Sequence, residues 1–426
     1  MSSSVFSKKL LKKNSQICCI INSVKNTEYI KTISKFWDYK KGSCTPALQK
    51  EFSKILDIEE KKVFLVENGR TGQYIFLKSL DLPEKCNIAI QGFTCNAVVN
   101  PVLWLNLKPN YIDIDPMTMN ISLDSLKERI DSKTKVVVLQ HTFGNPMFRT
   151  KKEFYDFLNE MHEKGILVFE DCAHALGGEV EGKKLGTFGD AALFSFGIEK
   201  VLSTRVGGAL VVNNGDFLED VEKIFKDMKE VGSFHTFIWL LNPFFWRILR
   251  VFKNQMKMAN SLRKLKLLNM GFEDSELSGI KPKYYPRKIS NALSCFVLNE
   301  LKDLGENLSH RKAIAGVYSE YFSVEHLGKA RIPFVRFPMV CETKRQKKDL
   351  KEHLEQNQIN VGDWYEPVIY PKSTIQSAMM YETGSCKIAE IVSSRILNLP
   401  TGKNITKEKA GEISKKIISF LDSYEG

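Results

Sequence analysis

The sequence predicts an α/β protein built on a mostly parallel central sheet with helices covering both faces. Three observations carry that expectation: a set of apolar runs of strand length, amphipathic helical segments between them, and a chain long enough for two associated domains. The apolar runs are VFLVE (63–67), NIAIQ (87–91), NYIDI (110–114), KVVVLQ (135–140), ILVFED (166–171), AALFSF (191–196) and GALVVN (208–213). They are nearly continuous in apolar residues, as strands buried on both faces are. Between them ALQKEFSKIL, GQYIFLKSL and FYDFLNEMHEKG place apolar residues at helical spacing, the last closed by Gly165. Helices alternating with buried strands imply parallel pairing, and ligands then bind beyond the carboxyl ends of the strands.

At 426 residues the chain exceeds what one compact core holds. We expect an N-terminal extension (1–44), a large domain (45–290) with an insertion near 230–270, and a smaller C-terminal α+β domain (291–426). In the last, NALSCFVLNELKDL, RKAIAGVYSEYF and KEKAGEISKKIISFLDSY read as helices. An apolar content of 43% and a charged content of 26% exclude collagenous or wholly disordered classes. The net charge of +12 suits an anionic small substrate, an anionic membrane surface or nucleic acid, or reflects a Lys-rich proteome.

The nine cysteines (Cys18, Cys19, Cys44, Cys86, Cys95, Cys172, Cys295, Cys341 and Cys386) show no CxxC pair and no zinc spacing. Scattered in this way they read as reduced thiols of a cytosolic protein, and no metal site is expected. The basic residues Lys8, Lys9, Lys12 and Lys13 precede a short apolar run, ICCII, that ends at Asn22 without a small-residue cleavage site. That does not read as a signal peptide.

Three segments carry candidate chemistry. Asp171 ends the run ILVFED and is followed by Cys172, Ala173 and His174. A carboxylate at a strand end keeps a pyridinium nitrogen protonated, although Asp after a strand also caps helices. Lys200 follows Ser195 by five residues in SFGIEK. A lysine in a site that lowers its pKa reacts with carbonyls; the alternative is one more solvated lysine. Ser195 can donate to a phosphate. Gly69 and Gly72 flank Arg70 and Thr71 in ENGRTGQYIFLKSL, between a strand and a helix. Backbone amides at such a helix N-terminus bind phosphate, yet many ordinary turns contain glycine. Taken together, the three meet the needs of a pyridoxal 5′-phosphate (PLP) site.

Their order resembles the DegT/DnrJ/StrS family of PLP-dependent sugar aminotransferases. The densest match is VFEDCAHALGGEVEGKKLGTFGDAALFSFGIEKVLSTRVGGALVVNN (168–214), supported by GRTGQYIFLKSL, QGFTCNAVVNPVLWLNLKPNYIDIDPMTMNI and HTFGNP. The resemblance implies a type I aminotransferase-like fold, usually a homodimer, with 45–290 as the PLP-binding domain. It implies that Lys200 carries PLP as a Schiff base, that Asp171 pairs with the pyridine nitrogen, and that His174 lies against the ring. Ser195 and the amides around Arg70 and Thr71 would hold the phosphate. Cys95 stands where many members place an aromatic residue on the ring, with Phe93 two residues earlier. Arg205 and Val206 replace a Gly-Glu pair, and Arg287 in KYYPRKIS is the nearest counterpart of an arginine that crosses to the partner subunit.

The implied reaction moves an amino group, with glutamate as donor, to a keto-sugar linked to a nucleotide, in polysaccharide or surface-glycan biosynthesis. Alternatives are a sugar dehydratase or deoxygenase, whose members replace the lysine with histidine, and a non-catalytic regulator. The insertion SFHTFIWLLNPFFWRILRVFKNQMKM (233–258) exceeds the usual family length. Asn242 and Pro243 read as an N-cap and first turn. The run is too interrupted to span a bilayer. It reads as a helical hairpin packed on the protein or its dimer partner, or as an interfacial helix touching a membrane through 234–258. No nucleic-acid motif accompanies the charge, so no nucleic-acid partner is expected. The location expected is cytoplasmic, at the inner face of the membrane if the interfacial reading holds.

Overall fold

A computed structural model describes residues 42–249, 254–265, 267–268, 271–322 and 332–424. The expected extension 1–44 therefore lies almost wholly outside the described residues.

All seven apolar runs form strands of one sheet. In chain order they are β1 (Val63–Val66), β2 (Asn87–Gln91), β3 (Lys108–Ile112), β4 (Thr134–Gln140), β5 (Leu167–Asp171), β6 (Ala191–Ser195) and β7 (Gly208–Val212). Two short strands, β8 (Lys229–Glu230) and β9 (Arg287–Lys288), extend one edge, giving the spatial order β8-β9-β1-β7-β6-β5-β4-β2-β3. The pairs from β3 to β6 are parallel. Both β1 and β7 run against each of their neighbours: β7 against β1 and β6, and β1 against β7 and β9. Period-two alternation sends successive side chains to opposite faces. Phe64, Val66, Ile88, Ile90, Val136 and Val138 enter one buried cluster, while Leu65, Ala89, Val137, Leu139 and Val168 enter the other. Two buried faces explain why no polar alternation was visible in these runs.

Helix α1 (Cys44–Leu56) buries Leu48, Phe52 and Leu56 on one face of the sheet, and α2 (Gly69–Ser79) buries Ile75, Phe76 and Leu77 on the other. The helix Lys151–Glu163 begins with a capping box between Thr150 and Glu153 and ends against Gly165, whose φ is 68°. Toward the C-terminus, an antiparallel strand pair, Arg336–Val340 with Ile396–Pro400, packs with the helices Leu304–Tyr321, Lys344–Gln356 and Lys407–Asp422.

Two expectations are corrected. Cys44 and Cys295 are disulfide-bonded (S–S 2.06 Å), so the cysteines are not all reduced thiols. Helix α1 lies on the helix Asn291–Leu301, and Thr45 is fastened there to Asn291 and Ser294 at 3.0 Å each. The two cysteines, with Cα atoms 5.0 Å apart, are brought together across 251 residues, which spacing along the chain does not reveal. Secondly, the insertion forms the helices Ser233–Leu249 and Gln255–Lys264. The first runs through Asn242 and Pro243 rather than starting there. Its earlier turns are anchored by buried Thr236, Ile238 and Leu240, with Thr236 Oγ1 2.9 Å from Ser290 Oγ. That packing outweighs the local capping signal.

Candidate active site

The carboxyl ends of the parallel strands converge on one edge of the sheet, and the singled-out residues lie there. Asp171 is the last residue of β5 and Ser195 the last of β6. The turn after β1 leads into α2, and Thr94–Cys95 follows β2. Thr94–Cys95 pairs in parallel with Ile369–Tyr370, so the C-terminal part of the chain supplies a wall of the site.

Lys200 is partly buried, and its Nζ stands 2.8 Å from His174 Nε2. Burial is the main influence lowering the Lys200 pKa, against the opposite pull of Cys95 and Asp171. A lowered pKa makes the free amine available, as carbonyl chemistry requires. Burial, with the nearby Lys200 and Arg336 charges, holds His174 well below its usual range. His174 is thus neutral, and its Nδ1 accepts the Phe143 N–H at 3.2 Å, which makes Nε2 the protonated nitrogen facing the Lys200 amine.

Burial pushes the Asp171 carboxyl up, opposed by the Ala173 N–H and Lys200. The Ala173 amide donates to its Oδ1 at 2.9 Å, and Oδ2 takes no hydrogen bond from a described residue. A buried carboxylate with one oxygen uncommitted fits a pyridinium N–H, and in that respect these residues suit PLP.

The α2 turn is arranged for close approach. A Cβ on Gly69 would lie 3.3 Å from Ser195 Cβ, and one on Gly208 only 2.6 Å from Gly69 N. Glycine at both positions lets α2 reach the ends of β6 and β7. Asn68 caps α2 by accepting the Thr71 amide and hydroxyl at 3.1 and 3.2 Å. Thr71 is fully buried, and both of its donors are committed to that cap. Ser195 Oγ accepts the Gly197 N–H at 3.3 Å. Arg70 turns toward the end of the insertion, where its guanidinium pairs with Glu276 and donates to the Gly271 carbonyl. Cys95 sits between these groups, its thiol raised by burial and 3.4 Å from Asn96 Oδ1.

Several neighbours carried no signal of their own in the sequence. Trp364 lies nearly parallel to His174 (centroids 5.3 Å, 6°) and 5.0 Å from Lys200 Nζ. Arg336 stacks on Trp364 at 3.9 Å and pairs with Glu199. Glu276 is buried, and its carbonyl accepts both Asn96 and Asn100, at 3.3 and 3.1 Å. Arg287, considered for a partner-facing role, instead bonds buried Glu67 at 2.8 Å beneath the Tyr284 and Trp239 rings. Arg205 adopts φ 69°, a conformation that favours glycine.

A buried trio, His141, Glu170 and Cys172, brings ligand-type atoms close together. Glu170 accepts the amides of Gly186, Phe188 and Gly189 within 2.9 Å and faces His141 Nε2 at 3.1 Å. His141 Nδ1 accepts the Met147 amide. These bonds tie the loop before β6 beneath Asp171.

The chain matches the DegT/DnrJ/EryC1/StrS aminotransferase family over residues 21–239 and 250–418. It is 24% identical over 404 residues to a GDP-perosamine synthase of Escherichia coli O157:H7, covering 93% of this chain and 95% of that protein. It is 30% identical over 196 residues to a dTDP-4-dehydro-2,3,6-trideoxy-D-glucose 4-aminotransferase of Saccharopolyspora spinosa, covering 46% of this chain and 50% of that one. In fold it resembles PseC of Helicobacter pylori, an aminotransferase involved in the biosynthesis of pseudoaminic acid (TM-score 0.71, 19% identity, 95% of this chain and 99% of that one). This chain belongs to the DegT/DnrJ/EryC1/StrS aminotransferase family, with the type I aminotransferase fold and pyridoxal 5′-phosphate as its cofactor.

Proposed function

We propose that this aminotransferase transfers an amino group from glutamate to a keto-sugar carried on a nucleotide, in the biosynthesis of a polysaccharide or surface glycan. The names of the Escherichia coli and Saccharopolyspora spinosa relatives refer to sugar nucleotides, and the charge of +12 suits anionic substrates. In this reading the enzyme is a cytoplasmic homodimer. Residues 45–290 hold the cofactor and 291–426 form the smaller part. Contact of 234–258 with the inner face of a membrane is a separable part of the same reading.

One observation carries the chemistry: Lys200 Nζ, lowered in pKa by burial, stands 2.8 Å from a neutral His174 at the mouth of the strands that also present Asp171. Bound PLP supplies the electron sink for the pair of electrons released when a proton leaves the reacting carbon. Lys200 holds the cofactor through Nζ and then, as a free amine, moves that proton off one carbon and onto the next. Asp171 keeps the ring nitrogen protonated through its uncommitted oxygen. His174 donates from Nε2 and orients Lys200, and Trp364 screens that amine from water. Ser195 and the Arg70 backbone amide in the α2 turn would receive the phosphate, Thr71 shaping that turn through its bonds to Asn68, and Cys95 would line the adjoining face.

Replacement of Lys200 tests this. The wild type is expected to show a visible absorbance band that borohydride removes, that shifts when glutamate is added and that returns with a keto-sugar nucleotide. Lys200→Ala loses the borohydride-sensitive band and at least about 10³-fold in turnover. A variant that keeps the band overturns the assignment.

A further inference from the structure

The family match breaks over residues 240–249, the second half of the first insertion helix, and nothing in the chemistry of the strand-end site calls for this element. Between residues 231 and 272 the chain has seven Lys or Arg residues (Arg247, Arg250, Lys253, Lys257, Arg263, Lys264 and Lys266), eight aromatic residues and no Asp or Glu. Those 42 residues supply most of the +12 net charge of the protein.

The structure gives the segment an anchored side and an exposed one. On the anchored side Thr236 and Leu240 are buried, and Leu249, Ala259 and Leu268 form a small core of their own. On the other, Phe234 is 62% exposed and Phe237, one turn later, 38%. Met258 (37%) and Leu265 (67%) lie two turns apart at the second helix, beside exposed Lys257. Among the described residues no helix is long and apolar enough to cross a membrane.

We propose that this insertion docks the enzyme on an anionic lipid bilayer, with Phe234, Phe237, Met258 and Leu265 entering the acyl boundary, exposed Lys257 at the headgroups, and the acid-free basic composition of the segment supplying the attraction. Exposed phenylalanines beside a basic stretch free of acids are the composition of an interfacial anchor. A second copy of the chain is a poorer occupant. Seated on a twofold axis, the patch would face itself and oppose seven positive charges with seven more, with no acid in the segment to offset them. The inference deepens the membrane part of the proposed function and needs no turnover to test.

The test is flotation of the full-length holoprotein with vesicles of neutral phosphatidylcholine, or of phosphatidylcholine mixed with phosphatidylglycerol. The wild type floats with the anionic vesicles, is released by high salt and ignores the neutral ones. Phe234→Asp with Phe237→Asp reduces the bound fraction by about tenfold or more. Arg247→Glu with Arg250→Glu and Lys257→Glu does the same. Both variants retain the visible cofactor band, which separates lost docking from lost folding and from failure of the enzymatic reading. The proposal is overturned if the wild type does not float, or if both variants float as well as it does. It is equally overturned if the Phe variant halves the mass in light scattering while wild-type flotation is absent, or if the wild type retards RNA and not vesicles.

Discussion

The strand-end arm of the site and the insertion arm treat charge in opposite ways. At the strand ends, burial holds Lys200 and His174 below their usual pKa ranges and pushes Asp171 above its own, and none of the three is closed in a tight ion pair. On the insertion side charges stand in buried pairs, Arg70 with Glu276 and Arg287 with Glu67, the Glu67 carboxyl being itself pushed up by burial. Reactive groups must be able to change protonation, so a tight partner would disable them. Groups that only position a backbone gain from a partner, since a buried charge left alone is costly. The comparison separates the residues proposed to do chemistry from those proposed to hold them in place.

The largest effect expected from the paired arm comes from Glu276→Ala. It leaves Arg70 buried without its carboxylate and costs about 3–5 kcal/mol in urea unfolding, together with faster loss of cofactor absorbance on dilution. Glu276→Gln recovers part of both. If Glu276→Ala costs no more than breaking the exposed Lys152–Asp156 pair, which is worth at most about 1 kcal/mol, the contrast between the arms collapses. Next comes the staple at the return of the insertion arm. Cys44→Ser lowers stability by about 2–4 kcal/mol in oxidising buffer, and the difference vanishes in dithiothreitol. Equal stability in both buffers contradicts the bond.

The smallest effect is a pH slope. Burial pushes the Glu67 carboxyl up to about 7, opposed by Arg287. A carboxyl raised in the folded state binds its proton more tightly there. Its contribution is therefore full below the ordinary carboxylate range and is lost as pH rises toward 7. Stability should fall by at most about 1.4 kcal/mol per pH unit across that window, and Glu67→Gln should flatten the decline. An unchanged profile means that Arg287 holds Glu67 charged throughout.

What was legible in the sequence follows from the range of the interactions. Strand positions were readable because seven runs announce two-sided burial in their own composition. The placement of Lys200, Asp171, His174 and Ser195 at one edge of the sheet was readable because each lies within a few residues of a strand end, where the motif is local. Glu276, Trp364 and Arg336 were not, because each reaches the site only through tertiary folding, from segments 76 or more residues beyond Lys200. The disulfide was hidden for the same reason. Capping at Asn242 was misread because a local preference worth about 1 kcal/mol competes there with the burial of several apolar side chains.

Trp364 touches Lys200 at 5.0 Å and Arg336 at 3.9 Å, and only five tryptophans occur in the chain. Indole emission is quenched by neighbouring amines and by absorbing groups, so this one ring is an internal optical reporter. The part of the emission that Trp364→Phe removes is expected to register whether Lys200 is free or engaged, and so to follow cofactor loading without a label.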